Sequence, residues 1–229
     1  MPPRSPAAPE TGLRFFLDTA DAKAWAEWLP LGLFHGVTTN PILLQAAGIP
    51  CRLQALSGLV QQAFAQGASE VQVQTFGRTR SLYVEHGRAI AAFDPRVVVK
   101  IPTTVEGTAA AAVLAADGVR ITMTGVYNAA QSLVAEALGA AYAAPYLGRM
   151  NDAGRDGFGE IAAMARAARA HGATTRILVA SLRRAADVAR LAADGLDTFT
   201  FNPKVAADFF ADDATAQAIE AFESAAEAS

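Results

Sequence analysis

An alternation runs the length of this chain and narrows its folding options more than any other feature. Short runs of apolar, often β-branched or aromatic residues recur eight times, at 13–19 (LRFFLDT), 36–40 (GVTTN), 70–76 (EVQVQTF), 97–102 (VVVKIP), 120–127 (RITMTGVY), 140–146 (AAYAAPY), 176–181 (RILVAS) and 197–202 (DTFTFN). Between them lie alanine-rich stretches such as DAKAWAEWL, RLQALSGLVQQAFAQ and FGEIAAMARAARAHG, whose apolar residues return every three or four positions. The runs read as strands covered on both faces and the stretches as the helices that cover them. Gly67, Gly118, Gly172 and Gly195 close helical segments, where a left-handed cap suits glycine. Eight strands alternating with eight helices predict an α/β chain folded as a single-domain (β/α)8 TIM barrel over residues 13–229, with a helical C-terminal segment. The rival, an open doubly wound sheet, lacks its marks, since no G-x-G-x-x-G follows the first run and no G-x-x-x-x-G-K-[ST] occurs.

Composition excludes several kinds of partner. With 52% hydrophobic and 18% charged residues and a net charge of −3, the chain is globular and lacks the basic stripe of a nucleic-acid binder. Nucleic acid and membrane are therefore not expected partners. No run approaches the roughly 18 apolar residues of a membrane span, and residues 1–12, MPPRSPAAPETG, read as a mobile tail with no signal-like apolar core. The single cysteine, Cys51, has no Cys or His neighbour at metal-ligand spacing and is expected to be a structural thiol, which together suggest a cytoplasmic protein.

In a barrel of this kind the chemistry sits at the C-terminal ends of the strands. That rule selects Asp18, Asn40, Gln74, Lys100, Thr124, Tyr146, Ser181 and Asn202, one polar residue at or near each strand end. Several have a plainer reading as helix caps: Asp18, Thr19 or Asp21 for the first helix, Ser181 for the seventh. Lys100 does not, because a cation is disfavoured at the helix N-terminus that follows a strand.

Side chains alternate along a strand, so Val98, Lys100 and Pro102 share one face and Val97, Val99 and Ile101 the other. If the more hydrophobic set packs under the helices, Lys100 points into the barrel mouth. Desolvation there favours the free amine, the form that attacks a carbonyl carbon, which makes Lys100 a candidate Schiff-base residue. Two alternatives stay open: a buried ion pair with Asp18, or a lysine reaching out to solvent. Around it, Asp18 is placed to hold or relay protons, and Asn40 and Thr124 to bind substrate hydroxyls or a water. The Tyr146 phenol is placed to exchange a proton through that water. None of this requires a metal, and His35, His86 and His171 read as loop or helix-surface residues away from the strand ends. Arg149, three residues beyond Tyr146, and Arg183, two beyond Ser181, offer guanidinium forks for a phosphate, while Arg184 reads as a solvated first-turn residue.

The motifs FFLDTAD, GVTTNP, VVVKIPTTVEG, TGVYNAAQ, APYLGR and ASLR, in that order and at similar spacing, resemble the small transaldolase and fructose-6-phosphate aldolase family from about residue 13 to the end of the chain. The resemblance implies a class I aldolase that works without a cofactor, with Lys100 as the Schiff-base residue. Asp18 and Asn40 correspond to the family's active-site Asp and Asn, and Thr124 to its water-positioning Thr. Ser181 and Arg149 match its phosphate-contacting positions. It also implies sugar phosphates and dihydroxyacetone as small-molecule partners, and a homo-oligomer, commonly a decamer of stacked rings in which the C-terminal helix reaches a neighbour.

Two positions divide that family. Members that transfer a three-carbon unit to an aldose phosphate usually carry Glu on the third strand and Phe in an SPF-type motif; those that release dihydroxyacetone usually carry Gln and Tyr. Here Gln74 and Tyr146 stand at those places, which favours the aldolase. A neutral amide cannot do a carboxylate's proton work, whereas a phenol supplies a hydroxyl where Phe has none. Arg183 is instead the transaldolase-like choice, and FNP at 201–203 departs from the family's usual PL, so Asn202 receives no role. Transaldolase is the first alternative, and a catalytically silent barrel that binds sugar phosphates is the alternative from outside enzymology.

Overall fold

The computed structural model describes residues 12–228. Strand β1 (Arg14–Asp18) leads into α1 (Ala22–Trp28), and β2 (Phe34–Thr38) is followed by two helices, α2 (Pro41–Ala46) and α3 (Leu53–Ala65). Next come β3 (Glu70–Gln74), α4 (Arg80–Ala91), β4 (Val97–Pro102), α5 (Val105–Ala116), β5 (Ile121–Val126) and α6 (Ala129–Ala137). A second pair of helices, α7 (Leu147–Asp152) and α8 (Gly157–His171), follows β6 (Tyr142–Pro145). The chain then forms β7 (Arg176–Val179), α9 (Ala185–Ala193), β8 (Thr198–Phe201), α10 (Pro203–Asp208) and α11 (Asp213–Glu227).

Every strand lies parallel to its neighbours, and β8 pairs with β1 to close the barrel. Closure rules out the open sheet. The helices start where side-chain oxygens occupy their free N–H groups: Asp21, Asn40, Thr79, Thr104, Asn128, Asp156, Asn202 and Asp212 each cap one. Each such cap contributes about 1 kcal/mol. All four glycines expected to close helices have positive φ.

The alternation along β4 divides the core as expected. Val97, Val99 and Ile101 join the large cluster between the sheet and the helices, while Val98 packs inside the barrel with Phe16, Tyr142, Ala144 and Leu178. Below that inner layer the floor is ionic. Buried Glu70 accepts from Arg120 at 2.6 Å, from Gln72 at 2.9 Å and from the Tyr142 hydroxyl at 3.2 Å. Tyr142 in turn accepts from Arg14 at 2.9 Å, and Gln72 accepts from Thr122 at 2.8 Å. Burial, with the Glu70 carboxylate next in effect, pushes the Tyr142 phenol up to about 12. Gly36 makes the β2–β3 approach possible, because a Cβ there would lie 1.9 Å from the Glu70 carbonyl oxygen.

Several expectations need correction. Helices outnumber strands because short α2 and α7 precede the longer helices of their connections, and α10 precedes α11. Strand β2 begins at Phe34, so half-buried His35 is a strand residue near the floor and not a loop residue. There, desolvation together with Arg14, Arg120 and Arg176 lowers its pKa below 6.5 against the pull of Glu70. Cys51 is exposed, so it is no packed structural thiol. The tail at 1–12 lies outside the described residues except for Gly12, whose carbonyl accepts from Arg176. Helix α11 buries none of its residues, and Ile219 and Phe222 are 53% and 66% exposed. Among the described residues no helix is long and apolar enough to cross a membrane.

Candidate active site

A cavity of about 300 Å³ opens at the C-terminal ends of the strands, bounded by Asp18, Asn40, Lys100, Tyr146, Arg149, Ser181, Arg183, Thr200 and Asn202, with apolar sides from Ile42, Leu43, Leu182 and Phe201. Lys100 is only 4% exposed and still lines this space, so it does not reach out to solvent. Among the described residues no carboxylate stands within 4.0 Å of its amine as an ion pair. Both bland readings of Lys100 therefore fail. It faces the mouth because β4 alternates, with Val98 below it on the same face and Val99 and Ile101 turned to the helices.

Asp18 is fixed from β2. Its Oδ1 accepts from the Thr38 hydroxyl at 2.6 Å, and Thr38 stands 2.6 Å from the Thr200 hydroxyl of β8. Both threonines are buried. Asn40 commits its Oδ1 to the backbone N–H groups of Ile42 at 2.9 Å and Leu43 at 3.1 Å, which leaves its amide N–H groups as donors.

Tyr146 begins α7, and its hydroxyl lies 2.7 Å from that of buried Thr124 on β5. The Tyr127 ring meets its edge at 5.6 Å between centroids, and the Arg149 guanidinium lies over it at 4.7 Å. Tyr127 beside that guanidinium, with Tyr146 and Asp18 adding to it, raises the Arg149 pKa further.

Arg149 is brought to Ser181 by a close approach. The Gly148 N–H donates to the Ser181 carbonyl at 2.9 Å, and a Cβ on Gly148 would lie 2.3 Å from that oxygen. Ser181 takes φ 57, a left-handed conformation that side chains rarely adopt, and it lines the cavity rather than capping a helix. Exposed Arg183 reaches the rim and donates to Asp152 at 2.6 Å.

Of the eight strand-end residues, six line the cavity: Asp18, Asn40, Lys100, Tyr146, Ser181 and Asn202. Thr124 is tied to it through Tyr146. Gln74 pairs in register with Lys100 but is not one of the cavity walls. Asp21, not Asp18, caps α1. Asn202 caps α10 as well as lining the cavity, and Arg184 pairs with Asp187 at 2.8 Å away from it. Thr38 and Thr200 escaped the sequence reading, although each lies two residues before a strand-end Asn and so on the same face. Among the described residues no three His, Cys, Asp or Glu side chains gather as a metal site requires.

The family model described as "Transaldolase/Fructose-6-phosphate aldolase" matches residues 15–229. A "Probable transaldolase" of Caulobacter sp. (strain K31) is 34% identical over 210 residues, covering 92% of this chain and 94% of its own length. Another, of Geobacillus sp. (strain WCH70), is 32% identical over 212 residues, covering 92% and 96%. A crystal structure from Burkholderia cenocepacia J2315, named for phosphonomutase activity, superposes with a TM-score of 0.57 at 13% identity over 95% of this chain and 94% of that one, a likeness of fold alone. Matched from its first strand to its end, the chain belongs to the transaldolase/fructose-6-phosphate aldolase family and is an enzyme of the Schiff-base aldolase type.

Proposed function

We propose that the protein is a class I aldolase that cleaves and forms fructose 6-phosphate. Lys100 attacks the C2 carbonyl, water leaves, and the resulting iminium accepts the electrons of the C3–C4 bond as it breaks. A water at Thr124 and Tyr146 takes the C4 hydroxyl proton, which frees glyceraldehyde 3-phosphate; the enamine left on Lys100 is then protonated and hydrolysed to dihydroxyacetone. Asp18 assists proton movement near the amine, Asn40 donates to substrate hydroxyls, and Ser181, Arg149 and Arg183 hold the phosphate. Gln74 acts beside Lys100 as a neutral amide and leaves the proton transfers to the phenol. The observation that carries this reading is a buried Lys100 that opens on the cavity and is unpaired with any carboxylate among the described residues. Borohydride reduction with dihydroxyacetone, followed by peptide mass mapping, tests it. An adduct is expected on the peptide holding Lys100 and none in Lys100→Met; a wild-type protein without adduct overturns it.

A second reading is transaldolase, in which an aldose phosphate intercepts the enamine before hydrolysis. The names of the relatives and the Arg183 side chain favour it. Supplying erythrose 4-phosphate with fructose 6-phosphate separates the two, because transfer gives sedoheptulose 7-phosphate with no free dihydroxyacetone, whereas the aldolase releases dihydroxyacetone into solution. We further propose a homo-oligomer, a decamer by family likeness, supported by the unburied apolar side chains of α11. A cytoplasmic setting suits the free thiol of Cys51.

A further inference from the structure

We propose that Thr200 and Thr38 form a two-hydroxyl proton wire from the β8 wall of the cavity, where Thr200 stands, to the Asp18 carboxylate on its β1 wall, and that it carries the proton exchanged when water adds to the Lys100 iminium or leaves it. This rests on the Schiff-base reading above and goes beyond it, since neither threonine has a role there.

The geometry dictates the direction of the wire. Thr38 has one hydroxyl proton, and the 2.6 Å contact with the Asp18 carboxylate uses it. Thr38 can then only accept in its 2.6 Å contact with Thr200, so Thr200 donates there and keeps lone pairs for the cavity it lines. Both hydroxyls are buried, at 0% and 1% exposure, which keeps bulk water from replacing either link. Hydrogen bonds to an ionised acceptor are short and strong, and a chain of them polarises cooperatively. The other charged groups that line this cavity are Lys100, Arg149 and Arg183.

The step balances without a further reactant. As a water oxygen bonds to C2 of the iminium, that water gives a proton to Thr200, Thr200 gives its own to Thr38, and Thr38 gives its own to Asp18. The cationic iminium and the anionic carboxylate become a neutral carbinolamine and a carboxylic acid. In the reverse direction the three hydrogen bonds turn round, and Asp18 returns a proton to the departing hydroxyl as the C–O bond breaks.

The test reads water addition alone: enzyme-catalysed exchange of the dihydroxyacetone carbonyl oxygen with heavy-oxygen-labelled water, followed by mass spectrometry on the full-length protein. Thr200→Val is expected to slow exchange about tenfold or more, and Thr200→Ser to restore it, while Thr200→Val still gives the borohydride adduct on long incubation. Exchange at the wild-type rate in Thr200→Val, or a loss that Thr200→Ser fails to restore, overturns the wire. Should Thr200→Val not fold, the wild type still decides. In mixtures of water and deuterium oxide its exchange rate is expected to fall along a curve, as several protons in flight require, and a straight line overturns the proposal. A wild-type protein that forms no borohydride adduct fails the Schiff-base reading itself; an adduct with an unaffected Thr200→Val fails only the wire.

Discussion

The Tyr146 phenol and the Thr124 hydroxyl meet at 2.7 Å, one from the start of α7 and the other from the inner face of β5. Two hydroxyls at that distance share one proton, so each leaves a lone pair or a hydrogen for a third partner. Tyr146→Phe removes the phenol and leaves Thr124 in place. Cleavage of fructose 6-phosphate is expected to lose about 10²- to 10⁴-fold in kcat. Borohydride trapping of dihydroxyacetone on Lys100 should persist, since the phenol serves bond cleavage and not attack of the amine. Steady-state kinetics and mass mapping on the same preparation check both halves.

Arg183 and Asp152 pair at 2.6 Å on the cavity rim, both mostly in water. A pair so exposed contributes little to stability, but a substrate phosphate competes with Asp152 for the guanidinium. Arg183→Ala is expected to raise KM for fructose 6-phosphate about tenfold or more with little change in kcat, and to leave trapping of unphosphorylated dihydroxyacetone unaltered. Asp152→Asn should lower the same KM. Equal losses with both donors would show that Arg183 does not read the phosphate.

On the barrel floor, Glu70 is buried and accepts from Arg120, Gln72 and Tyr142. Glu70→Ala leaves these donors without their common acceptor. Because Arg120 is 43% exposed and can turn to water, the expected loss is about 2 kcal/mol, below the range for a fully buried pair. Urea unfolding of the two proteins measures it.

The floor also sets a pH dependence. Tyr142 has its phenol raised from 10.0 to about 12 by burial and by Glu70, so the folded state prefers the neutral form. The stability this provides is present below pH 10 and is lost as pH rises from 10 to about 12. His35, lowered below 6.5, acts on the other side: its contribution is present above 6.5 and declines as pH falls through the lowered value. Thermal melts across both ranges should show the two declines, and Tyr142→Phe should remove the alkaline one.

How far the sequence reveals this molecule depends on whether periodicity governs the feature. Strand β4 occupies the run VVVKIP residue for residue, and its alternation places Lys100 inward because the face of Val97, Val99 and Ile101 is wholly apolar. The strand-end rule brings Asp18, Asn40, Tyr146 and Ser181 to the cavity wall because each lies at or just beyond the C-terminal end of its strand. It overlooks Thr38 and Thr200, since a threonine inside a strand reads as a β-former and the two hydroxyls, 162 residues apart in sequence, meet only because closure of the barrel sets β2 and β8 on either side of β1. It brings Gln74 level with Lys100, but register alone does not fix where a long side chain ends. Six-residue helices such as α2 and α7 are too short for a repeat of 3.6 to mark them, and α7 depends on Gly148 for its close contact with Ser181.

The ionic floor and the cavity at the mouth stand at opposite ends of one barrel, with Phe16, Val98, Ala144 and Leu178 stacked between them. Changes at sites that share no partners add nearly independently. Laboratory evolution can therefore randomise the rim to accept new aldehydes while thermostability is engineered at the base, and gains from the two campaigns should combine in one chain.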